Sequence, residues 1–200
     1  MKRNLLLVNC YGEKAGEKIA GYREWLRAAA ARAGIEETLR EAADSEPLEA
    51  SGDFAAVIIS GSQKMAGSGE IEPGLLEFLQ GNRRPLLGVC YGHQALARAF
   101  GARVQRGERK HLGDEEVLLN KTDPLLASFP HVFAMSESHE EIVARDNDLE
   151  RGFMVLAENR EGLVEAIRHR EHPFYGVQFH PEKSGELGIL LLVNFLNMIS

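Results

Sequence analysis

Three residues have the types and surroundings needed for nucleophilic attack on a carbonyl carbon: Cys90, His180 and Glu182. A cysteine attacks as its thiolate, and it needs a base that takes its proton and later protonates the leaving group. Histidine serves as such a base, and a carboxylate beside it orients the ring and stabilises its charged form. The fold must therefore bring together side chains from distant parts of the chain.

The segment around Cys90 has the pattern of a nucleophile at a sharp turn. Residues 85–94 read Pro-Leu-Leu-Gly-Val-Cys-Tyr-Gly-His-Gln, an apolar strand that ends in the cysteine and leads into a helix. Gly88 and Gly92 stand two positions before and after it, as small residues do in the G-x-S-x-G nucleophile elbow. The helix N-terminus favours a thiolate, and we expect the Tyr91 N–H to point at a developing oxyanion. The alternative is a structural cysteine buried at a strand end.

The candidate base and its carboxylate lie at the end of a second predicted strand. Residues 176–182 read Gly-Val-Gln-Phe-His-Pro-Glu, and Pro181 bends the chain so that Glu182 can turn back toward the His180 ring. Taken alone, His180 is interpreted as a surface histidine. Both motifs, however, follow strands at the carboxyl edge of a predicted parallel sheet, where open α/β folds place their sites. The pairing favours a catalytic role.

The elements that position these residues alternate between strands and helices in the first half of the chain. Apolar periodicity predicts strands over 4–9, 35–40, 54–59 and 85–89, and helices over 17–33, 73–79 and 92–100. Such alternation indicates a parallel sheet with right-handed crossovers.

From about residue 104 the predicted helices nearly disappear. Short strands are predicted over 116–119, 132–135, 153–158, 164–168 and 175–179, followed by an amphipathic helix over 186–199. We therefore predict an α/β fold, a flavodoxin-like three-layer sandwich whose mostly parallel central sheet has a mixed or antiparallel extension in the second half. No linker, repeat or low-complexity segment interrupts residues 1–200, so we expect a single domain.

The bulk composition argues against several classes of function. The 200 residues are 44% hydrophobic and carry a net charge of −7, which disfavours a nucleic-acid binder that neutralises phosphates. No apolar stretch is long enough to span a bilayer, and Cys10 and Cys90 suggest no disulfide framework, so we expect a cytoplasmic protein. Because no Walker A loop, dinucleotide-binding glycine pattern or metal-ligand spacing is present, we expect no cofactor and no metal.

Together, the two motifs resemble the class I (triad) glutamine amidotransferase family. Residues 87–94 and 176–182 match its signatures in order and separation, and the predicted fold agrees over nearly the whole chain. Within the family, Tyr91, residues 109–113 and residues 135–143 are similar to the amidotransferase domain of GMP synthase.

The resemblance implies glutaminase chemistry. Cys90 is expected to attack the side-chain carboxamide of L-glutamine and form a γ-glutamyl thioester. His180 is expected to protonate the departing ammonia and then activate water, while Glu182 orients the ring. The N–H of Tyr91 and one near Gly61 are expected to hold the oxyanion.

The resemblance also assigns residues around the substrate, with two departures from the family pattern. Gln94 matches a position that helps hold glutamine. Ser138 and His139 match a Ser-His-Gly-Asp segment beside the glutamine pocket and the synthetase partner, but this chain continues with two glutamates. In the oxyanion loop, Gly61-Ser62-Gln63 replaces the usual Gly-Gly-Pro or Gly-Pro-Gly.

Three hypotheses of function follow. The first is a glutaminase that passes ammonia to a separate, GMP-synthase-like synthetase, since no nucleotide-binding motif is present for the acceptor reaction. The second is a stand-alone γ-glutamyl hydrolase acting on a γ-glutamyl amine or peptide, and the altered loop at Gly61 motivates it. The third is a non-catalytic regulatory protein on the same fold, which the complete triad disfavours.

Overall fold

The computed structural model describes residues 2–12, 16–50 and 52–199. Its strands are β1 (Lys2–Asn9), β2 (Glu36–Ala43), β3 (Ala56–Ile59), β4 (Leu86–Val89), β5 (Val104–Leu119), β6 (Val132–Val143), β7 (Phe153–Asn159), β8 (Val164–His169) and β9 (Phe174–Val177). Its α-helices are α1 (Gly16–Ala33), α2 (Pro73–Gly81), α3 (Tyr91–Ala99), α4 (Asn147–Gly152) and α5 (Gly185–Asn197). Short 3-10 turns lie at Pro124–Leu126 and Pro181–Lys183.

Within these residues, nine strands form one sheet in the order β2-β1-β3-β4-β9-β8-β7-β5-β6. Strands β2, β1, β3, β4 and β9 pair in parallel, and we call them the parallel half. Strands β8, β7, β5 and β6 pair antiparallel, and we call them the antiparallel half; β8 joins β9 antiparallel as well. The predicted extension is confirmed, but it is as large as the parallel part of the sheet, with four pairings of each kind.

Helices cover both faces of the parallel half because its central strands are apolar on both sides. In β1, Leu5 and Leu7 pack into a core with α1 and α5, whereas Leu6 and Val8 pack into a second core with α2 and α3. Successive side chains of a strand point to opposite faces, so a continuous apolar run requires cover on both. The predicted three-layer α/β architecture is confirmed.

The largest difference from the predicted elements is the length of β5 and β6. Short strands were expected over 116–119 and 132–135, whereas β5 has 16 residues and β6 has 12. The additional segment of β5 contains exposed charged residues such as Arg106 and Arg109, and that of β6 contains the buried Glu137 and Glu141. Both segments therefore lack the apolar pattern by which a strand is recognised. Pairing of the two strands with each other satisfies their backbone hydrogen bonds instead.

Two smaller differences are local. Helix α4 was not predicted; it has six residues and is capped by Asp146, whose carboxylate accepts the N–H groups of Asp148 and Leu149. Strand β9 ends at Val177 rather than at 179, so His180 lies three residues beyond the strand. His180 therefore lies in the turn that follows β9 and not within the strand itself.

Candidate active site

Cys90 occupies the sharp turn between β4 and α3, with φ 51° and ψ −105°. A positive φ is uncommon for a residue with a side chain, and such a turn leaves room only for small neighbours. A Cβ at Gly88 would lie 2.5 Å from the backbone carbon and oxygen of Gly92. A Cβ at Gly92 would lie 2.5 Å from the carbonyl oxygen of Ile59. The turn therefore requires glycine at both positions.

The parallel pairing of β4 with β9 brings His180 to the same sheet edge as Cys90. Val89 and Val177 are register partners, so the two strands end side by side. Beyond β9, the His180 N–H donates to the carbonyl oxygen of Ser136 on β6 at 2.8 Å. The antiparallel half thus fixes the backbone that carries the candidate base.

Glu182 contacts the His180 ring directly. His180 Nδ1 lies 2.7 Å from Glu182 Oε1, and the two side chains are 3% and 2% exposed. The 3-10 turn at Pro181–Lys183 returns the carboxylate to the ring. Because the carboxylate holds the hydrogen on Nδ1, Nε2 is the ring nitrogen that can serve the Cys90 sulfur.

Two opposing effects set the pKa of His180. Burial disfavours the charged ring, but a facing Cys90 thiolate and the Glu182 carboxylate outweigh burial and raise the pKa of His180 to about 10. The ring therefore holds a proton at neutral pH. A protonated imidazole between a sulfur and a carboxylate is the state in which a cysteine nucleophile is activated.

One cavity of about 290 Å³ joins most of the residues predicted for the site. Its lining includes Cys90, His180, Tyr91, Gln94, Ser138 and His139. The Ser138 carbonyl oxygen lies 4.0 Å from Cys90 Sγ. The tertiary structure therefore brings the two sequence motifs and the Ser138 segment to one place.

Gly61 also lies at the site, but its N–H does not face the cavity. It donates to the Tyr22 hydroxyl at 2.9 Å, while a Cβ at Gly61 would lie 3.1 Å from His180 Cε1. The N–H of Gly61 itself is therefore engaged by Tyr22, and the oxyanion donor expected from the loop near Gly61 stays a prediction. Tyr91 differs from Gly61 because it is the first residue of α3. The N–H groups at the start of a helix have no acceptor within that helix.

The Gln94 side chain is held in place by two hydrogen bonds that the sequence motif does not indicate. Its side-chain Nε2 donates to the Glu141 carbonyl oxygen at 2.9 Å and to Gln178 Oε1 at 3.1 Å. Gln178, in turn, directs its own Nε2 at Cys90 Sγ, 3.7 Å away. Sequence reasoning did not single out Gln178, although it stands two residues before His180.

A second group, of which the sequence analysis named only His139, consists of Glu137, His139 and Glu165. Their ligand atoms all lie within 4.8 Å of one another, and all three residues are buried. Burial and the neighbouring Glu137 carboxylate raise the pKa of Glu165 well above its usual value. In the part of the chain that the structure describes, these are the residues that could share a metal ion.

The contacts of His139 determine which of its ring nitrogens carries a hydrogen. Nδ1 lies 2.9 Å from the Glu141 carbonyl oxygen, which can only accept, so Nδ1 carries a hydrogen. Nε2 faces Glu137 Oε2 at 3.2 Å. An alternating Glu-x-His-x-Glu pattern over 137–141 was the available signal, but this segment had not been predicted as a strand.

Lysine residues cluster at the cavity. Four of the seven lysines in the chain line it, Lys18, Lys64, Lys110 and Lys183, together with Glu140 and Glu141. Lys64 and Lys110 form ion pairs with nearby carboxylates, whereas Lys18 lies 4.9 Å above the Tyr11 ring. On a chain with a net charge of −7, this clustering favours anionic groups at the cavity.

Comparison with known proteins defines the class. The model of the family described as glutamine amidotransferase class-I matches residues 17–198, and the chain belongs to this family. It is similar to the glutamine-hydrolyzing GMP synthase subunit of Pyrococcus abyssi, with 35% identity over 145 residues, 72% of this chain and 75% of the relative. The corresponding subunit of Archaeoglobus fulgidus is 32% identical over 166 residues, 82% of this chain and 86% of the relative.

Other similarities lie in the same family. Anthranilate synthase component 2 of Methanothermobacter thermautotrophicus is 41% identical over 116 residues, 58% of each chain. Among solved structures, a Thermoplasma acidophilum protein provisionally described as a GMP synthase subunit superposes with a TM-score of 0.77 at 21% identity, covering 98% of this chain and 92% of the other. A glutamine amidotransferase of Thermotoga maritima superposes with a TM-score of 0.68 at 19% identity, covering 90% and 76%. At these identities the structures support the fold alone.

None of the helices in the described ranges is both long enough and apolar enough to cross a membrane.

Proposed function

We propose that this chain hydrolyses L-glutamine to glutamate and ammonia through a γ-glutamyl thioester on Cys90, and that the ammonia passes to a separate, GMP-synthase-like synthetase. The observation that carries the proposal is the buried pairing of Glu182 with His180 beside the elbow that holds Cys90. Similarity to glutamine-hydrolyzing GMP synthase subunits over most of their length supports this choice of acceptor reaction.

The proposed reaction has two steps. Cys90 Sγ attacks the carboxamide carbon, and the carbon–nitrogen bond breaks as His180 Nε2 gives its proton to the leaving nitrogen, which departs as ammonia. Water then attacks the thioester and gives a proton to His180, the carbon–sulfur bond breaks, and glutamate leaves the thiolate free. The raised pKa of His180 supports this cycle because the ring begins it protonated.

The cavity supplies groups that suit the remainder of a glutamine molecule. Both hydrogen bonds of the Gln94 side chain within the described residues use Nε2, which leaves Oε1 to accept from the α-ammonium group. The exposed ammonium groups of Lys18 and Lys183 at the cavity mouth suit the α-carboxylate. We propose the Tyr91 N–H as an oxyanion donor.

The arrangement of Gly61 supports control by a partner. Its N–H becomes available to the oxyanion only if it leaves the Tyr22 hydroxyl, which requires the loop of residues 60–63 to turn. Loss of one oxyanion donor costs a factor of about 10²–10³ in kcat. We therefore expect slow hydrolysis by the chain alone and faster hydrolysis when a synthetase with its substrates docks.

The test measures ammonia release from L-glutamine by the purified chain, with Cys90→Ala as its control. Release that is lost in Cys90→Ala and rises with a GMP-synthase-type synthetase and its nucleotide substrates supports the proposal. Equal release by both forms would show that Cys90 is not the nucleophile. If ammonia release depends on Cys90 but no synthetase changes its rate, the proposed transfer of ammonia to a partner would be contradicted.

One observation favours a second candidate, hydrolysis of a γ-glutamyl amine or peptide without a partner. The lysines that line the cavity suit a leaving group that itself bears a carboxylate, as the amino-acid part of a γ-glutamyl peptide does. Parallel assays with L-glutamine and γ-glutamylglycine separate the candidates. A higher kcat/KM for the peptide would replace the glutaminase proposal, and a higher value for glutamine would exclude this alternative.

A further inference from the structure

Two buried glutamines connect the nucleophile to the backbone of β6. The Glu141 carbonyl oxygen accepts from Gln94 Nε2 at 2.9 Å, and the same nitrogen donates to Gln178 Oε1 at 3.1 Å. Gln178 Nε2 then donates to Cys90 Sγ at 3.7 Å. Gln94 is 3% exposed and Gln178 is fully buried, so no solvent competes for these bonds.

The direction of this chain of hydrogen bonds is determined at its far end. A backbone carbonyl oxygen can only accept, so Gln94 must turn its NH₂ group toward Glu141. That NH₂ group also meets Gln178, which must therefore present its carbonyl oxygen to Gln94 and its own NH₂ group to Cys90. Reversing the Gln178 amide would place two NH₂ groups against each other and an oxygen against the sulfur. The structure thus permits one orientation.

We propose that Gln178 is a positioning residue that holds the Cys90 sulfur as a thiolate, and that Gln94 and the Glu141 carbonyl oxygen hold Gln178 in its donating orientation. An N–H donor stabilises a negatively charged acceptor more than a neutral one, and burial strengthens the effect. His180 provides the proton chemistry, whereas Gln178 faces the sulfur without exchanging a proton. The inference deepens the proposed function, but its primary test needs no glutamine.

The sharpest variant is Gln178→Glu, which keeps the shape of the side chain. The new carboxylate can still accept from Gln94 Nε2, but it places a negatively charged oxygen near Cys90 Sγ instead of a donor. We expect the pH midpoint of Cys90 alkylation by iodoacetamide to rise by at least about one unit, since one unit corresponds to about 1.4 kcal/mol between charge states.

The matched control is Gln80→Glu on α2. Gln80 also donates to a backbone carbonyl oxygen, that of Ala99 at 2.9 Å, but among the described residues it makes no hydrogen bond to Cys90. Its alkylation midpoint should equal that of the unaltered chain. A folded Gln178→Glu variant with an unchanged midpoint would overturn the proposal.

A neutral variant covers the case in which Gln178→Glu does not fold. Gln178→Met removes the donor without adding charge, so the midpoint should rise by a smaller amount than in Gln178→Glu. An unchanged midpoint would again overturn the proposal.

Ammonia release, measured in parallel, separates this inference from the proposed function. If the alkylation midpoint shifts in a chain that never hydrolyses glutamine, the positioning role is supported and the glutaminase proposal is contradicted. If the chain hydrolyses glutamine and the midpoint does not shift, only the positioning role is contradicted.

Discussion

The parallel and antiparallel halves of the sheet both contribute to the cavity at Cys90, but they do so by different means. The parallel half positions reacting groups through its backbone: β4 and β9 end side by side, and Gly88 and Gly92 allow the elbow. The antiparallel half contributes buried polar side chains, among them His139 and Glu141. A backbone position tolerates almost no added atom, whereas a buried polar group depends on its partners and its charge state. Substitutions should therefore have different signatures in the two halves.

The largest expected effect is on catalysis and concerns Glu182→Gln. The amide cannot stabilise the imidazolium, so kcat for glutamine hydrolysis should fall by about 10²–10⁴. The pKa of His180 should fall from its value of about 10, and the alkaline limb of the pH–rate profile should move to lower pH. Ammonia release between pH 6 and pH 10 measures both effects.

Glu186→Gln provides the control for this prediction. Glu186 lies at the start of α5 with an 82% exposed side chain and pairs with Arg32. Its replacement should leave kcat unchanged. Equal losses in both variants would show that the Glu182 contact has no special role.

The next effect is on stability and compares one glycine from each half. Gly88→Ala places a Cβ 2.5 Å from backbone atoms of Gly92 and should destabilise the fold by about 3 kcal/mol. Gly107→Ala in β5 places its Cβ 3.3 Å from the Glu140 carbonyl oxygen, which a shift of a few tenths of an ångström relieves, and should change stability by less than about 1 kcal/mol. Urea unfolding of both variants measures the change in the free energy of unfolding. Equal changes in the two variants would contradict the proposed contrast between the halves.

A smaller and pH-dependent effect is expected for Glu165→Gln. Because the pKa of Glu165 is raised by folding, the folded chain retains a proton that the unfolded chain releases as pH rises above about 4.5. The stability associated with this proton is fully present at low pH and is lost as pH rises toward the folded pKa. Glutamine needs no proton, so the variant should gain stability relative to the unaltered chain between pH 5 and pH 8.

Thermal unfolding at several pH values tests this expectation. Each kcal/mol recovered should raise the melting temperature by about 2–4 °C. Glu116→Gln is the control, because Arg160 lowers the pKa of Glu116 on the surface and the dependence on pH should be weaker and of opposite sign. A Glu165→Gln variant that loses stability at pH 8 would show that the carboxylate is charged and needed.

The smallest effect is expected for Arg109→Gln on the exposed part of β5. Arg109 pairs with Glu115 and Glu161, but exposed ion pairs contribute little because water and salt screen them. Its melting temperature should match that of the unaltered chain, and added salt should not change the comparison. A clearly lower melting temperature for Arg109→Gln would indicate that ion pairs stabilise the ribbon formed by β5 and β6.

The amino-acid sequence by itself determined the features whose cause is local. Glycines two residues on either side of a cysteine predict an elbow, His-Pro-Glu predicts a carboxylate beside its histidine, and alternating strands and helices predict the parallel half. These predictions need only steric limits and short-range geometry. The class I amidotransferase resemblance depended on the same two segments, and the family match confirmed it.

Only the tertiary structure decided which distant polar groups meet. Gln94 reaches Gln178, Glu137 faces Glu165, and the Gly61 N–H turns to Tyr22, each across a gap that no periodicity describes. The full lengths of β5 and β6 were likewise decided by their mutual pairing, since their charged residues carry no strand pattern of their own. Long-range contacts depend on how sheet and helices close around the site, whereas the sequence directly constrains only neighbours along the chain.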